Sequence, residues 1–229
     1  MREPALSHAI TAATDELAVE VATTSAQLLE AQRLRYRVYC EERGFEPGAN
    51  GLEADDFDPH ARHILVRSRI TGAILGTVRV VLPRFGKGHQ SFPMSRVCEK
   101  FVLAPLPSMA TGEISRFALT RDRTGVSNAA AALMRLCLMK GIVDISGQSR
   151  LTHWCAIMET SLLRLLRSTA IHFQPVGPTV EFHGVRQPAI GAIETVLGRI
   201  LREQPAVWAF ITGNGGLWSA EAARVQAFG

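Results

Sequence analysis

An α/β domain with a mixed central sheet flanked by helices is what this 229-residue sequence predicts. Stretches with the 3.6-residue spacing of buried helices alternate with short β-branched runs, and one pair of such runs is joined by a tight Thr71–Gly72 turn. The order is helix, hairpin, strand, helix, strand, helix, strands, which suits a single sheet rather than separate bundles. The length fits one large domain with a sizeable core. Residues 1–20 are expected to form a flexible N-terminal arm and residues 21–229 one domain.

Ser25 to Cys40 reads as a helix capped by Thr24 or Ser25, with Glu30, Arg33, Arg37 and Glu41 as a solvent stripe of i,i+3/i+4 neighbours. Residues 44–61 carry Gly, Pro and Asn breakers and the acids Glu53, Asp55, Asp56 and Asp58, so they read as a long acidic loop. His63–Arg67 and Ala73–Leu82 form the hairpin. Gly86–Pro107 is irregular and is expected to cover something. Glu113–Leu119 is a strand, and an Ala-rich helix follows from about Ser127 to Val143. Then come a strand at Leu151–Ile157, a helix at Thr160–Ser168, a strand at Ala170–Pro175 and another at Val180–Val185. A helix at Ala189–Arg202 and a short apolar element at Ala206–Thr212 close the pattern.

Composition narrows the function classes. A hydrophobic fraction of 47% with 20% charged residues is that of a soluble globular protein. The net charge of +4 is mildly basic, yet no Lys/Arg block or alternation of aromatic and basic residues marks a nucleic-acid binder. A basic patch for an acidic partner and an evenly solvated surface both remain open. Cys40, Cys98, Cys137 and Cys155 are widely spaced, so no metal site is expected, and Cys137 and Cys155 read as small core residues. The first residues do not resemble a signal peptide, and no apolar run is long enough to span a membrane. A cytoplasmic location is the expectation.

Arg35, Asp55, Asp58, Arg79, Glu113 and Arg116 are the candidates for a site, because charges rarely enter apolar patterns unless they are paired. Arg35 shares a helix face with Leu28, Ala31, Val38 and Tyr39, so its head must leave the core or meet an acid. Arg79 alternates with apolar residues, and an edge-strand arginine reaching water would give the same pattern. Strict alternation puts Glu113 and Arg116 on opposite faces, so both enter one cavity only if a bulge or a splay interrupts the strand. Arg121, Arg123, Thr124 and Gly125 precede the Ala-rich helix, where a helix N-terminus suits phosphate. Ser95 and Ser115 lie in no G-x-S-x-G elbow, and His153, His172 and His183 show no triad spacing, so serine-hydrolase chemistry is not supported. His183 reads as a structural or pocket residue.

Five spaced motifs carry a resemblance. Arg35-x-x-x-Tyr39, Gly44-Phe45, Glu53-x-Asp55-x-x-Asp58, Arg79 in Gly-Thr-Val-Arg-Val-Val-Leu-Pro, and Glu113-x-Ser115-Arg116-Phe117 occur in order over residues 35–119. Together they resemble the acyl-homoserine lactone synthases, autoinducer synthases built on a GNAT-like acyltransferase fold. Tyr39 and Phe45 stand where that family usually has Phe and Trp. The C-terminal half, with Met158-Glu159 and residues 180–188 (VEFHGVRQP), is similar to acyltransferases associated with PEP-CTERM/exosortase systems, near the N-acyl amino acid synthases.

The resemblance implies a splayed strand pair in the sheet and no permanently bound cofactor. The donor would be a long-chain acyl thioester, on acyl carrier protein or coenzyme A, attacked by the amine of an amino acid or related metabolite. Glu113, Arg116 and Asp55 would be catalytic. Arg35, Tyr39, Phe45, Asp58, Arg79, Ser115 and Phe117 would bind substrate, and Arg121, Arg123, Thr124 and Gly125 the donor's phosphate or pantetheine. A lactone synthase using S-adenosylmethionine and a non-catalytic acyl-binding module are the two alternatives.

Overall fold

The computed structural model describes residue 10 and residues 14–45, 49–121 and 128–219. Its strands are β1 (Leu17–Val21), β2 (Ala61–Ser68), β3 (Ile74–Val81), β4 (Thr111–Leu119), β5 (His153–Met158), β6 (Gln174–Pro175), β7 (Val180–Glu181) and β8 (Val185–Ala192). The helices are α1 (Ser25–Tyr36), α2 (Lys100–Leu103), α3 (Asn128–Gln148), α4 (Thr160–Arg167), α5 (Ile193–Glu203) and α6 (Pro205–Thr212). One sheet takes the order β1-β2-β3-β4-β5-β8-β6, with β7 paired to β8. All neighbours are antiparallel except β4 and β5. The sheet is mixed, as the alternation of elements predicts.

Two local irregularities shape the molecule. The β4–β5 pairing covers Thr111–Glu113 against His153–Cys155 and then stops. Beyond it β4 continues along β3 to Leu119, while β5 continues along β8 to Met158, so the sheet divides into two halves. The second irregularity is a β-bulge in β4. Thr77 pairs with Ala118 and Arg79 with Ser115, so three steps on β4 oppose two on β3. Arg116 takes up the extra step with φ of 56°, in the left-handed region that costs a non-glycine residue.

The main core lies between the sheet and helices α3, α5 and α6, around Ile64, Val78, Met134, Leu138, Ile142, Trp154 and Ile200. Helix α3 crosses β2 so closely that a Cβ at Gly141 would sit 2.5 Å from Ile64. A second apolar cluster of Phe57, Phe92, Met94, Val102, Leu103 and Cys155 packs residues 88–106 onto the sheet. Cys137 and Cys155 are buried core residues, as expected.

Several expectations need correction. The N-terminal arm does not reach residue 20, because Leu17–Val21 pairs with β2 and Leu17 is buried. Thr24 caps α1 in a capping box with Gln27, and the α-helix gives way at Arg37–Glu41 to a π-turn. Glu30 pairs across to Arg67 on β2 rather than along its own helix. The strand expected at Ala170–Pro175 shrinks to Gln174–Pro175, and that expected at Val180–Val185 becomes the β7–β8 hairpin. Ala189–Ala192 belong to β8 and not to a helix, since their alternating burial matches β5. Among the described residues, no helix is long and apolar enough to cross a membrane.

Candidate active site

A cavity of about 420 Å³ opens where β4 and β5 part. Residues on both sides of the split line it: Glu113, Ser115, Arg116 and Phe117 from β4, and Ile157 and Met158 from β5. Met139 and Ile142 of α3, Leu162, Leu165 and Leu166 of α4, and Phe173 give it an apolar lining. Its rim is aromatic and charged. Tyr39 stacks on Phe45 at 5.9 Å between ring centroids, and Phe45 on His183 at 5.0 Å. The Tyr39 hydroxyl donates to the carbonyl of Phe117 at 3.1 Å, fastening the turn after α1 to the bulged strand.

The charged residues singled out from the sequence do meet, as a layered network. Arg35 donates to both oxygens of Asp58 at 2.9 and 2.6 Å, and to the Glu53 carbonyl. Arg79 reaches Asp58 at 2.6 Å, both oxygens of Asp55 at 2.5 and 2.8 Å, and the Ser115 hydroxyl at 3.0 Å. Arg116 binds Glu53 at 2.7 Å and Asp55 at 3.0 Å. Gln32 adds a donor to Asp58 at 3.1 Å. Desolvation opposes the charge on Asp58, but the two guanidinium groups outweigh it and hold the carboxyl well below its usual range. Asp55 is lowered for the same reason, chiefly by Arg79.

This geometry redistributes the roles. Arg35 and Arg79 are fully buried and Asp58 nearly so, and none of the three lines the cavity. Asp55 does not line it either. Their donors and acceptors are largely engaged with one another, which places Arg35, Asp58 and Arg79, expected to bind substrate, and Asp55, expected to be catalytic, behind the cavity lining. Arg79 is no edge residue, since β3 lies between β2 and β4. The network fixes the acidic loop against α1 and the sheet, forming the wall behind the site. Tyr39, Phe45, Glu113, Ser115, Arg116, Phe117 and Arg121 do line the cavity. Arg123, Thr124 and Gly125 lie outside the described residues.

Glu113 is the exception among the acids. It is 2% exposed, and one oxygen accepts the backbone N–H of Met94 at 2.7 Å. Among the described residues no arginine bonds to it, and burial pushes its pKa up to about 8 despite the fields of Arg79 and Arg116. The irregular segment after β3 does cover something: through Met94 it covers this carboxyl. The bulge meets the geometric condition set by the sequence, because it turns Arg116 to the same cavity as Glu113.

Some lining residues were missed. Glu53 stands inside a quoted motif but was given no role, and it lines the wall between Arg35 and Arg116. Arg43, Glu159 and Arg186 also line the cavity, and they come from three distant segments whose meeting no local pattern signals.

Comparison with known proteins agrees with this architecture. Residues 34–133 match the acetyltransferase (GNAT) domain family. Among solved structures, the acyl-homoserine lactone synthase LasI superposes with a TM-score of 0.60 at 18% identity, covering 82% of this chain and 98% of that one. The CoA-dependent acyl-homoserine lactone synthase BjaI gives 0.61 at 18% identity, over 93% and 100%. FeeM, an N-acyl amino acid synthase from uncultured soil microbes, gives 0.58 at 14%, over 82% and 97%. No curated protein matches the chain. The chain has the GNAT fold that these synthases share, and residues 34–133 carry the match to the acetyltransferase domain.

Proposed function

We propose that this chain is an acyltransferase that joins a long-chain acyl group, delivered as a thioester of acyl carrier protein or coenzyme A, to the amine of an amino acid or related metabolite. One observation carries the reading: a buried carboxyl with its pKa pushed up to about 8 and an apolar lining share a single cavity in a parted sheet. The apolar lining is suited to an acyl chain, and the parting of β4 from β5 would supply a slot for the thioester arm.

A thioester is already activated, so the protein has mainly to align amine and carbonyl and to stabilise the oxyanion. Backbone N–H groups displaced from the ladder at the Arg116 bulge are suited to the oxyanion. An arriving ammonium would favour the ionised form of Glu113, as an opposite charge does. The carboxylate would then orient the amine and take its proton, directly or through water. Arg116 holds Glu53 and Asp55 and keeps the cavity wall in place. Arg121, whose side chain is largely exposed beside Glu42, would meet the donor at the open end.

The similarity of residues 180–188 to PEP-CTERM-associated acyltransferases fits this reading, since they form the β7–β8 hairpin at the rim. A cytoplasmic setting, where both donors are made, belongs to the same proposal. The test is incubation with long-chain acyl-CoA, with acyl carrier protein thioester and with an amino-acid pool, read by mass spectrometry. Acyl amides are expected, and their absence with every donor would overturn the reading. Release of methylthioadenosine from S-adenosylmethionine would instead favour the lactone synthase.

A further inference from the structure

Glu159 follows β5 and precedes α4 at the rim of the cavity. Two arginines from separate parts of the chain converge on one of its oxygens, Arg43 at 2.6 Å and Arg186 at 3.3 Å. Arg186 is set in place by its own hairpin, donating to the carbonyls of Phe182 at 2.6 Å and His183 at 3.3 Å. The Phe45–His183 stack ties the two arginine-bearing segments together. All of these side chains line the cavity.

The charge balance here differs from that of the wall. Arg116 meets two acids, Glu53 and Asp55, and Arg121 meets Glu42. At the rim, two guanidinium groups share one carboxylate, leaving one positive charge in excess among the described contacts. Glu159 itself is lightly held. Its side chain caps no N–H of α4, and its second oxygen receives a long 3.4 Å bond from the Ser161 hydroxyl. Guanidinium groups bind carboxylates and phosphates through charge-assisted hydrogen bonds, and two of them face this one carboxylate.

We propose that Arg43 and Arg186 form a clamp for an acidic group on the amine acceptor, and that Glu159 is an internal carboxylate occupying the clamp until that group displaces it. The proposal rests on the acyltransferase reading and adds the residues that would hold the acceptor's acid group, with an internal carboxylate competing for them. The exchange conserves charge, one oxyanion leaving the guanidinium pair as another enters, so substrate binding would cost the rim no unpaired ion.

The experiment titrates N-dodecanoylglycine and its methyl ester into the intact protein by calorimetry, which reads the clamp without turnover. The wild type is expected to bind the acid about 10–100-fold tighter than the ester, the worth of charged hydrogen bonds to a carboxylate. The Arg43→Gln/Arg186→Gln variant should lose that preference. Glu159→Gln should bind the acid roughly 3–10-fold tighter than wild type, because no internal competitor remains. A merely structural salt bridge would give no such gain. Equal binding of acid and ester by the wild type, binding of neither, or an unchanged or weaker affinity in Glu159→Gln overturns the clamp.

A kinetic arm separates the two sources of oxyanion. If the double variant raises KM for acyl-CoA but not for the matched acyl-pantetheine, the arginines serve the donor's phosphates, and the acceptor assignment falls. Amide formation that ignores the acceptor's acid group sinks the clamp and leaves the acyltransferase reading standing. Absence of amide from every acceptor sinks that reading instead.

Discussion

Behind the cavity, Arg35 and Arg79 are buried against Asp55, Asp58 and Glu53, with nearly every donor matched to an acceptor. In front of it, Glu113 is just as deeply buried but has a single backbone N–H for a partner. Both regions place charge-bearing groups in a low-dielectric setting, and the outcomes are opposite. In the first, mutual neutralisation keeps Asp55 and Asp58 ionised and holds a long loop in place. In the second, the lack of a direct counter-charge lets desolvation win and brings the carboxyl's pKa near neutrality. Pairing builds the wall; the absence of pairing leaves Glu113 with a raised pKa, the property the proposed proton transfer would use.

Breaking the wall should have the largest effect. Arg79→Met takes from Asp55 its main counter-ion and from Asp58 one of its two, and removing one partner of a buried ion pair costs about 3–5 kcal/mol. The denaturation midpoint should fall accordingly, and an unchanged midpoint would mean that the network carries little stability. Glu113→Gln tests the other region. It should keep the folded-state stability on the acid side while lowering amide formation by about 10²–10⁴-fold, the usual worth of a positioned acid or base.

The two regions should also titrate with opposite signs. Asp58 has a depressed pKa in the fold, so its stabilisation is present above its unfolded value of 3.8 and is lost as the pH falls toward the lowered one. His63, buried against Asp58 with its pKa lowered to about 4, adds to the acid loss, which begins below its unfolded value of 6.5. Glu113 has a raised pKa, so its contribution is full below 4.5 and declines as the pH rises through about 8. Thermal melts of wild type and Glu113→Gln against pH should share the acid limb and differ on the alkaline one. The smallest effect is expected at Arg121. Its exposed pairing with Glu42 should contribute roughly 0–1 kcal/mol to stability, so Arg121→Ala should leave the melt nearly unchanged while raising the donor's KM.

Much of this was legible in the sequence, for reasons that differ by residue. The hairpin around Thr71–Gly72 and the long α3 announce themselves by local periodicity and turn chemistry. Arg35 and Arg79 were conspicuous as charges in apolar patterns, and that oddity survives as an ion network. What the pattern could not show was which charges face the substrate. A buried arginine looks the same in sequence whether its partner is an acid of the wall or a ligand. The boundary of β8 was missed because Ala189–Ala192 are small residues compatible with either element, and only pairing with β5 decides between them. The bulge at Arg116 has no signature of its own, since the backbone strain falls on a residue with no preference for positive φ. The rim trio of Arg43, Glu159 and Arg186 is a product of tertiary closure alone.

The pH dependence of kcat/KM for amide formation, measured with two acceptor amines of different basicity, tests the role of Glu113 most directly. Wild type should show a rising limb with an inflection near pH 8 that stays in place when the acceptor is changed, and Glu113→Gln should lack it. An inflection that follows the acceptor's own pKa, or one that persists in Glu113→Gln, would contradict the account.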